Sequence, residues 1–167
     1  VEQLPSEVAK ARKVELLTIA NDAARSRGGS ITQVMARYSD SRRQILVANT
    51  DGRIASDDQV KSVFSVSAVA SGDTGMQTGR ESVGHTVGFE LFSQVDVAEL
   101  GRAAADRALT KLAARPAPSG QMPVVIGSGG GGVMFHEACG HGLEADLVAK
   151  GASVFANRIG EQVASPL

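Results

Sequence analysis

Residues 127–141 read GSGGGGVMFHEACGH, and the rest of the chain is organised around this stretch. A run of glycines leads into His136, Glu137 and His141, which form the pattern His-Glu-x-x-x-His. Zinc proteases use a spacing one residue shorter, which places both imidazoles on one face of a helix. The longer spacing separates the two imidazoles by about 140° on a straight α-helix. Two nitrogens that each lie about 2.0–2.1 Å from one zinc ion cannot come from such different faces.

A single π-turn would remove this conflict, because it absorbs the additional residue and returns both histidines to nearly one side. Such turns are frequent at functional sites. Gly140 and Gly142 are the positions at which the backbone tolerates an irregularity. We therefore predict a widened or broken turn between His136 and His141. The spacing alone leaves two readings open, a metal site and two ordinary histidines on a regular helix.

The residues upstream of this motif predict an α+β fold, with an antiparallel β-sheet flanked by helices. Apolar residues recur at helical spacing in 6–27 and 96–114, which predicts two helices. Asp96 and Glu99 form a capping-box pattern at the start of the second helix. Alternating patterns predict strands at 31–38, 44–49, 60–70 and 76–92, the last irregular because glycines interrupt it. Turns are predicted at 39–41 and at Asp51-Gly52. Successive hairpins imply an antiparallel sheet that carries the helices on one face.

A second part of the chain follows a Pro-rich linker at 115–120. Residues 122–126 predict a short buried strand that leads into a Gly-rich loop at 127–132 and then the motif helix. We divide the chain into residues 1–118, an α+β domain, and residues 119–167, the truncated start of a catalytic domain. The loop has no Gly-Lys-Ser/Thr sequence, which makes nucleotide binding the weaker interpretation. Gly129, Gly130 and Gly131 are more simply read as glycines that let a substrate backbone or another loop approach closely.

Composition limits the classes of function. The chain has 167 residues and a net charge of −1, which gives no electrostatic support for binding nucleic acid. Its one Cys excludes an internal disulfide and fits a reducing cytoplasm. No apolar run is long enough to span a membrane, and the N-terminus does not read as a signal peptide. We therefore expect a cytoplasmic protein.

Residues 133–146, VMFHEACGHGLEAD, resemble the signature of the TldD/PmbA metallopeptidases, formerly described as modulators of DNA gyrase. Residues 151–155 and 159–166 resemble the next block of that family. The resemblance implies that His136 and His141 bind zinc, that Glu137 is the general base, and that the third ligand is a Cys downstream of Leu167. It also implies small or unfolded peptide substrates and a heteromer with a TldE/PmbA-like homologue that lacks the metal motif.

Members of that family are longer on both sides, so we expect an internal fragment whose metal site is incomplete and inactive. The alternative is a non-catalytic fragment that docks a partner subunit or domain. We interpret Cys139 as a small buried packing residue that points away from the histidines, and His85 as an ordinary exposed or hydrogen-bonded histidine. Glu144 and Asp146 either include a carboxylate that holds a histidine ring or form a solvated helix end, which is slightly favoured.

Overall fold

The computed structural model describes residues 1–166, and the chain divides into two compact units, Val1–Pro116 and Ala117–Leu167. The first unit confirms the α+β fold. Its two helices and three strands are α1 (Lys10–Arg25), β1 (Ile31–Ala48), β2 (Ile54–Gly72), β3 (Gly75–His85) and α2 (Val97–Leu112). Short 3₁₀ turns span Pro5–Glu7 and Phe89–Ser93.

The three strands form an antiparallel sheet in the order β1-β2-β3. The predicted turn at 39–41 is wrong, because Ser39, Asp40 and Ser41 pair directly with β2 and β1 continues to Ala48. Residues 39–44 are all exposed, so their polar character reflects solvent contact rather than a chain reversal. The turn at Asp51-Gly52 is confirmed, and Gly52 has a φ of 76°, which favours glycine.

Both helices pack on one face of this sheet. As the alternation predicts, Phe64, Val66, Ala68 and Ala70 share the buried face of β2 and are fully buried. The helices contribute small residues to the same core, chiefly Ala20 and Ala24 of α1 and Ala104, Ala105 and Ala108 of α2. These short side chains allow the helix backbones to lie close to the sheet and to each other.

Two glycines bring the backbones into direct contact. A Cβ atom at Gly79 on β3 would lie 2.0 Å from the carbonyl oxygen of Ala104 on α2. A Cβ atom at Gly101 on α2 would lie 2.3 Å from the carbonyl oxygen of Ala20 on α1. The irregular strand predicted for 76–92 is therefore wrong as far as His85, because β3 pairs with β2 without interruption up to that residue. Gly79 does not interrupt the strand but provides space for α2. The chain leaves the ladder only after His85 and turns through Phe89–Ser93.

The start of α2 is capped as the sequence predicts. One carboxylate oxygen of Asp96 accepts hydrogen bonds from the N–H groups of Ala98 (2.8 Å) and Glu99 (3.1 Å). In a complete capping box, the Glu99 carboxylate would accept a hydrogen bond from the N-cap N–H. Here it accepts one from Arg102, at 2.9 Å. The cap therefore depends on Asp96.

The carboxylate of Glu90 fastens the N-terminal residues to the turn after β3. It accepts hydrogen bonds from the backbone N–H groups of Glu2 (3.1 Å), Gln3 (3.1 Å) and Gly88 (3.0 Å). Desolvation acts to raise the pKa of Glu90, but the backbone donors outweigh it and lower the pKa to about 2.

The second unit contains short helical segments. They are α3 (Ser128–Phe135), a π-turn (His136–Gly140), a 3₁₀ turn (His141–Leu143) and α4 (Ala145–Ala149). The strand predicted at 122–126 is wrong, because no described segment pairs with it and Val124 and Val125 are 72% and 98% exposed. The predicted glycine loop is also wrong, since Gly129, Gly130 and Gly131 lie within α3 and the Gly131 N–H donates to Gly127 at 2.9 Å. No helix in residues 1–166 combines the length and apolarity needed to cross a membrane.

Candidate metal centre

The two motif histidines are joined by a π-turn, which confirms the predicted widening. The N–H of His141 donates to the carbonyl of His136, an i→i+5 hydrogen bond, immediately after α3 ends at Phe135. The additional residue is absorbed within one turn. The imidazole rings therefore meet edge to face, with centroids 4.4 Å apart and an interplanar angle of 72°.

Glu137 belongs to the same cluster as the two histidines. Its carboxylate Oε2 lies 3.7 Å from His141 Nε2, and one ligand atom from each of the three residues lies within 4.8 Å of the other two. Glu137 and His141 are four residues apart, and this spacing brings side chains together on a helix.

The donor set fits a zinc ion. Two ligand atoms at 2.0–2.1 Å from a tetrahedral zinc lie about 3.4 Å apart, so small side-chain movements would bring these atoms into coordination. Imidazole nitrogen and carboxylate oxygen are both donors that zinc accepts. All three side chains are exposed, which leaves room for water and a substrate. The Cys implied as the third ligand lies outside the described residues.

Neither Gly140 nor Gly142 has an unusual backbone angle, and Gly142 provides space for a neighbouring ring. Both have ordinary negative φ values, and a Cβ at Gly142 would lie 2.6 Å from the Phe155 ring. Ser153 donates a hydrogen bond to the Gly142 carbonyl and accepts one from the Phe155 N–H at 3.0 Å. Residues 153–155 therefore pack directly against the end of the His-Glu-x-x-x-His motif.

Glu144 is placed on the far side of His141 from the cluster. Its Oε1 atom lies 2.8 Å from His141 Nδ1, and this hydrogen bond, with the negative charge, raises the pKa of His141. Glu137 adds a smaller electrostatic contribution in the same direction. The carboxylate of Glu144 therefore contacts a histidine ring, although its side chain remains half-exposed. Asp146 is exposed near the start of α4 and pairs with Lys150 at 3.4 Å, as a solvated helix end would.

Among residues 1–166, the other candidate ligands do not belong to the group formed by His136, Glu137 and His141. Cys139 is half-buried and lines an apolar hollow of about 280 Å³ with Ile126, Met134 and Phe135. It is absent from the group of potential metal ligands in residues 1–166, but the prediction that it is buried is wrong, because it is only half-buried. His85 is exposed at the end of β3 in the other unit, which agrees with the interpretation as an ordinary histidine.

Comparison with known protein families shows to which family the chain belongs. Residues 3–112 match the family described as PmbA/TldA metallopeptidase central domain, and residues 119–167 match its C-terminal domain. This chain belongs to the TldD/PmbA family. The recognition made from residues 133–166 is thereby confirmed, and the chain is part of a family of metallopeptidases.

The relatives of this TldD/PmbA chain carry the same description. A metalloprotease TldD homologue of Buchnera aphidicola subsp. Acyrthosiphon pisum is 39% identical over 162 residues, which cover 93% of this chain and 34% of the relative. A metalloprotease of Methanothermobacter thermautotrophicus is 36% identical over 161 residues, or 96% of this chain and 35% of the relative. The chain thus spans about a third of the length of these relatives.

A solved structure supports the fold of the TldD/PmbA chain. The putative modulator of a DNA gyrase from Thermotoga maritima superimposes with a TM-score of 0.77 and 20% identity. The match covers 96% of this chain and 36% of the other. At this identity the comparison establishes the architecture, and the chemistry depends on the cluster described above.

Proposed function

We propose that the full-length protein is a zinc-dependent peptidase in which His136 and His141 bind the metal and Glu137 is the general base. The observation that supports this most directly is the π-turn, because it brings the three donor atoms within 4.8 Å of one another. Without that turn, the spacing of the two histidines would be incompatible with one metal ion. A bound zinc ion would acidify a water molecule and polarise the scissile carbonyl.

In this proposal, Glu137 accepts a proton from the attacking water and returns it to the amine that leaves. The position of its carboxylate, 3.7 Å from His141 Nε2, supports this role, because a water molecule held in the cluster would lie within its reach. Its side chain is 65% exposed, so no described residue blocks access to it. Two imidazoles and one base are then the contribution of this chain to the site, and the third ligand would come from beyond Leu167.

We further propose that Gly129, Gly130 and Gly131 contact the substrate backbone, and that the substrates are small or unfolded peptides. Gly129 and Gly130 have no neighbouring atom within 4 Å of the position a Cβ would occupy. Glycine weakens a helix by about 1 kcal/mol relative to alanine, so the glycine run in α3 has a stability cost that a role in binding would explain. An extended peptide can approach such a backbone more closely than it can approach side chains.

The resemblance to TldD also leads us to propose a cytoplasmic heteromer with a TldE/PmbA-like homologue that lacks the metal motif. Retention of His136, Glu137 and His141 supports a role for this chain as the catalytic partner. Co-expression of the two full-length proteins, followed by affinity purification of one, would test the association. Recovery of the tagged protein alone would contradict it.

The role of Glu137 is tested by replacing it with Gln in the full-length protein. We expect Glu137→Gln to retain zinc and to lose about 10²- to 10⁴-fold in peptide cleavage, because only the proton acceptor is removed. Metal content and cleavage of an unstructured peptide are measured on the same preparation. Glu15→Gln is the matched control, since Glu15 is an exposed glutamate on α1 that pairs with Arg12. Cleavage by Glu137→Gln at the wild-type rate would refute the assignment.

Zinc titration of this chain and of the full-length protein tests the incomplete site. We expect tight binding only in the full-length protein, because a catalytic zinc ordinarily has three protein ligands and this chain provides two histidines. Equal affinity in both would show that residues 1–167 already hold the complete ligand set. If this chain alone does not bind zinc, the alternative function of the fragment is docking to another domain or subunit.

A further inference from the structure

We propose that Glu144 is a positioning residue for His141: its carboxylate accepts the Nδ1 proton and thereby leaves Nε2 as the nitrogen that binds the metal. This inference rests on the proposed function, in which His141 is a metal ligand. It adds a residue that fixes which of the two ring nitrogens faces the metal.

The two nitrogens of His141 have different surroundings. Nδ1 lies 2.8 Å from Glu144 Oε1, within hydrogen-bond distance. Nε2 lies 3.7 Å from Glu137 Oε2, which is too far for a hydrogen bond, and therefore faces the proposed metal site. A carboxylate is only an acceptor, so Nδ1 must carry the proton in this contact. A neutral imidazole with a proton on Nδ1 has its free lone pair on Nε2, where a metal can bind.

The backbone holds Glu144 in the position from which it reaches His141. The 3₁₀ turn His141–Leu143 is closed by a hydrogen bond of 3.3 Å from the Glu144 N–H to the His141 carbonyl. On the other side, the Val148 N–H donates to the Glu144 carbonyl at 3.0 Å as α4 begins. Glu144 is therefore fixed between two helical turns, in extended conformation.

The side chain of Glu144 is not committed elsewhere among the described residues. It occupies the N-cap position of α4, yet its carboxylate makes no capping hydrogen bond. Its carboxylate pairs with His141, whereas the nearby Asp146 pairs with Lys150. A carboxylate on the outer nitrogen of a ligating histidine orients the ring and makes the metal-bound nitrogen more basic.

A purely structural role for Glu144 predicts different behaviour. If the contact between these two half-exposed side chains is only a solvated pair, it does not fix the tautomer of His141. The ring would then carry its proton mainly on Nε2, as free histidine does in water. Such a role would also leave zinc affinity unchanged after substitution. The tautomer of His141 in the metal-free protein therefore separates the two roles, and it can be read without any measurement of activity.

The test uses full-length protein labelled with ¹⁵N-histidine, freed of metal, at about pH 9, where histidine is neutral. Long-range ¹H–¹⁵N spectra report which nitrogen carries the proton, and the His141 signals are assigned by their loss in His141→Asn. We expect the Nδ1–H tautomer in the wild type and a shift toward Nε2–H in Glu144→Ala. Glu144→Gln should retain the Nδ1–H tautomer, because its amide oxygen still accepts the proton.

Zinc affinity provides the second readout. We expect Glu144→Ala to bind zinc about 10- to 100-fold more weakly than the wild type, with Glu144→Gln between them. Asp146→Ala is the matched control, because it removes a carboxylate two residues away that contacts Lys150 rather than His141. It should change neither the tautomer nor the affinity. Circular dichroism spectra of all variants establish that each is folded.

The outcomes separate this inference from the proposed function. An unchanged tautomer in Glu144→Ala overturns the positioning role, even if zinc binding weakens, and the peptidase proposal then stands. Unchanged zinc affinity in Glu144→Ala also overturns it. Failure of the wild-type protein to bind zinc overturns the proposed function and, with it, the inference that Nε2 is reserved for a metal.

Discussion

Replacing Gly79 with alanine tests whether backbone contact between β3 and α2 determines the packing of the first unit. The new Cβ would lie 2.0 Å from the Ala104 carbonyl oxygen and 2.5 Å from the Ala108 nitrogen. Ordinary contact begins at 3.4 Å, so the two backbones would have to separate by about 1.4 Å. No side chain can rotate to relieve this clash, because the opposing atoms are backbone atoms of a helix.

The cost of that separation can be estimated from the residues it disturbs. Ala104 and Ala108 are fully buried, and moving α2 would loosen their contacts with the sheet. Overpacking of a well-packed core typically costs about 1–3 kcal/mol, and the absence of a flexible neighbour places Gly79→Ala near ~3 kcal/mol. For a unit of this length, that corresponds to a decrease of roughly 12 °C in Tm.

Thermal unfolding monitored by circular dichroism measures the effect. Gly29→Ala is the matched control, since a Cβ at Gly29 has no neighbour within 4 Å and its φ is not in the left-handed region. We expect this control to remain within about 0.5 kcal/mol of the wild type. If Gly79→Ala unfolds at the same temperature as the control, the close approach of β3 and α2 does not limit stability and the reasoning is refuted.

Two further substitutions test local contacts of the first unit. Glu90→Gln should destabilise the fold at neutral pH, because the depressed pKa of Glu90, about 2, means that the folded state favours the ionised carboxylate. The stabilisation by the ionised carboxylate is complete above the unfolded pKa of about 4.3 and is lost as the pH falls toward 2. The difference in Tm between Glu90→Gln and the wild type should therefore shrink over that range. A constant difference would contradict the prediction. Asp96→Ala should cost about 1 kcal/mol, through loss of the hydrogen bonds to Ala98 and Glu99, and Asp96→Asn should recover most of it in urea unfolding.

Local patterns predicted the architecture of the first unit because they report burial and capping directly. The alternation around Phe64 identified the buried face of β2, and Asp96 identified the start of α2. Other features depend on contacts that no local window contains. Ser39–Ser41 looks like a turn because it is polar, yet these residues pair with β2 in a solvated part of the sheet. Gly79 looks like an interruption, and only the position of α2 shows why glycine is required there.

The metal motif was more predictable than its surroundings. Coordination of one metal ion by both His136 and His141 required an irregular turn between them, and the i→i+5 hydrogen bond confirms that turn. The approach of the Glu137 carboxylate to His141 follows from their separation by four residues, a spacing that brings side chains together on a helix. The contact of Glu144 with His141 depends on the 3₁₀ turn between them, and the sequence did not predict that turn. The proximity of Phe155 to Gly142 depends likewise on tertiary packing.

The π-turn has a consequence for how such sites are found and how they arise. A search restricted to histidines four residues apart overlooks this cluster, although its donor atoms lie within 4.8 Å of one another. Because the wider hydrogen-bonded ring accommodates one additional amino acid locally, a single-codon insertion within a helical His-Glu-x-x-His segment need not separate the two imidazoles. Insertion of one residue could therefore convert His-Glu-x-x-His into His-Glu-x-x-x-His while both imidazoles stay on the same side of the helix.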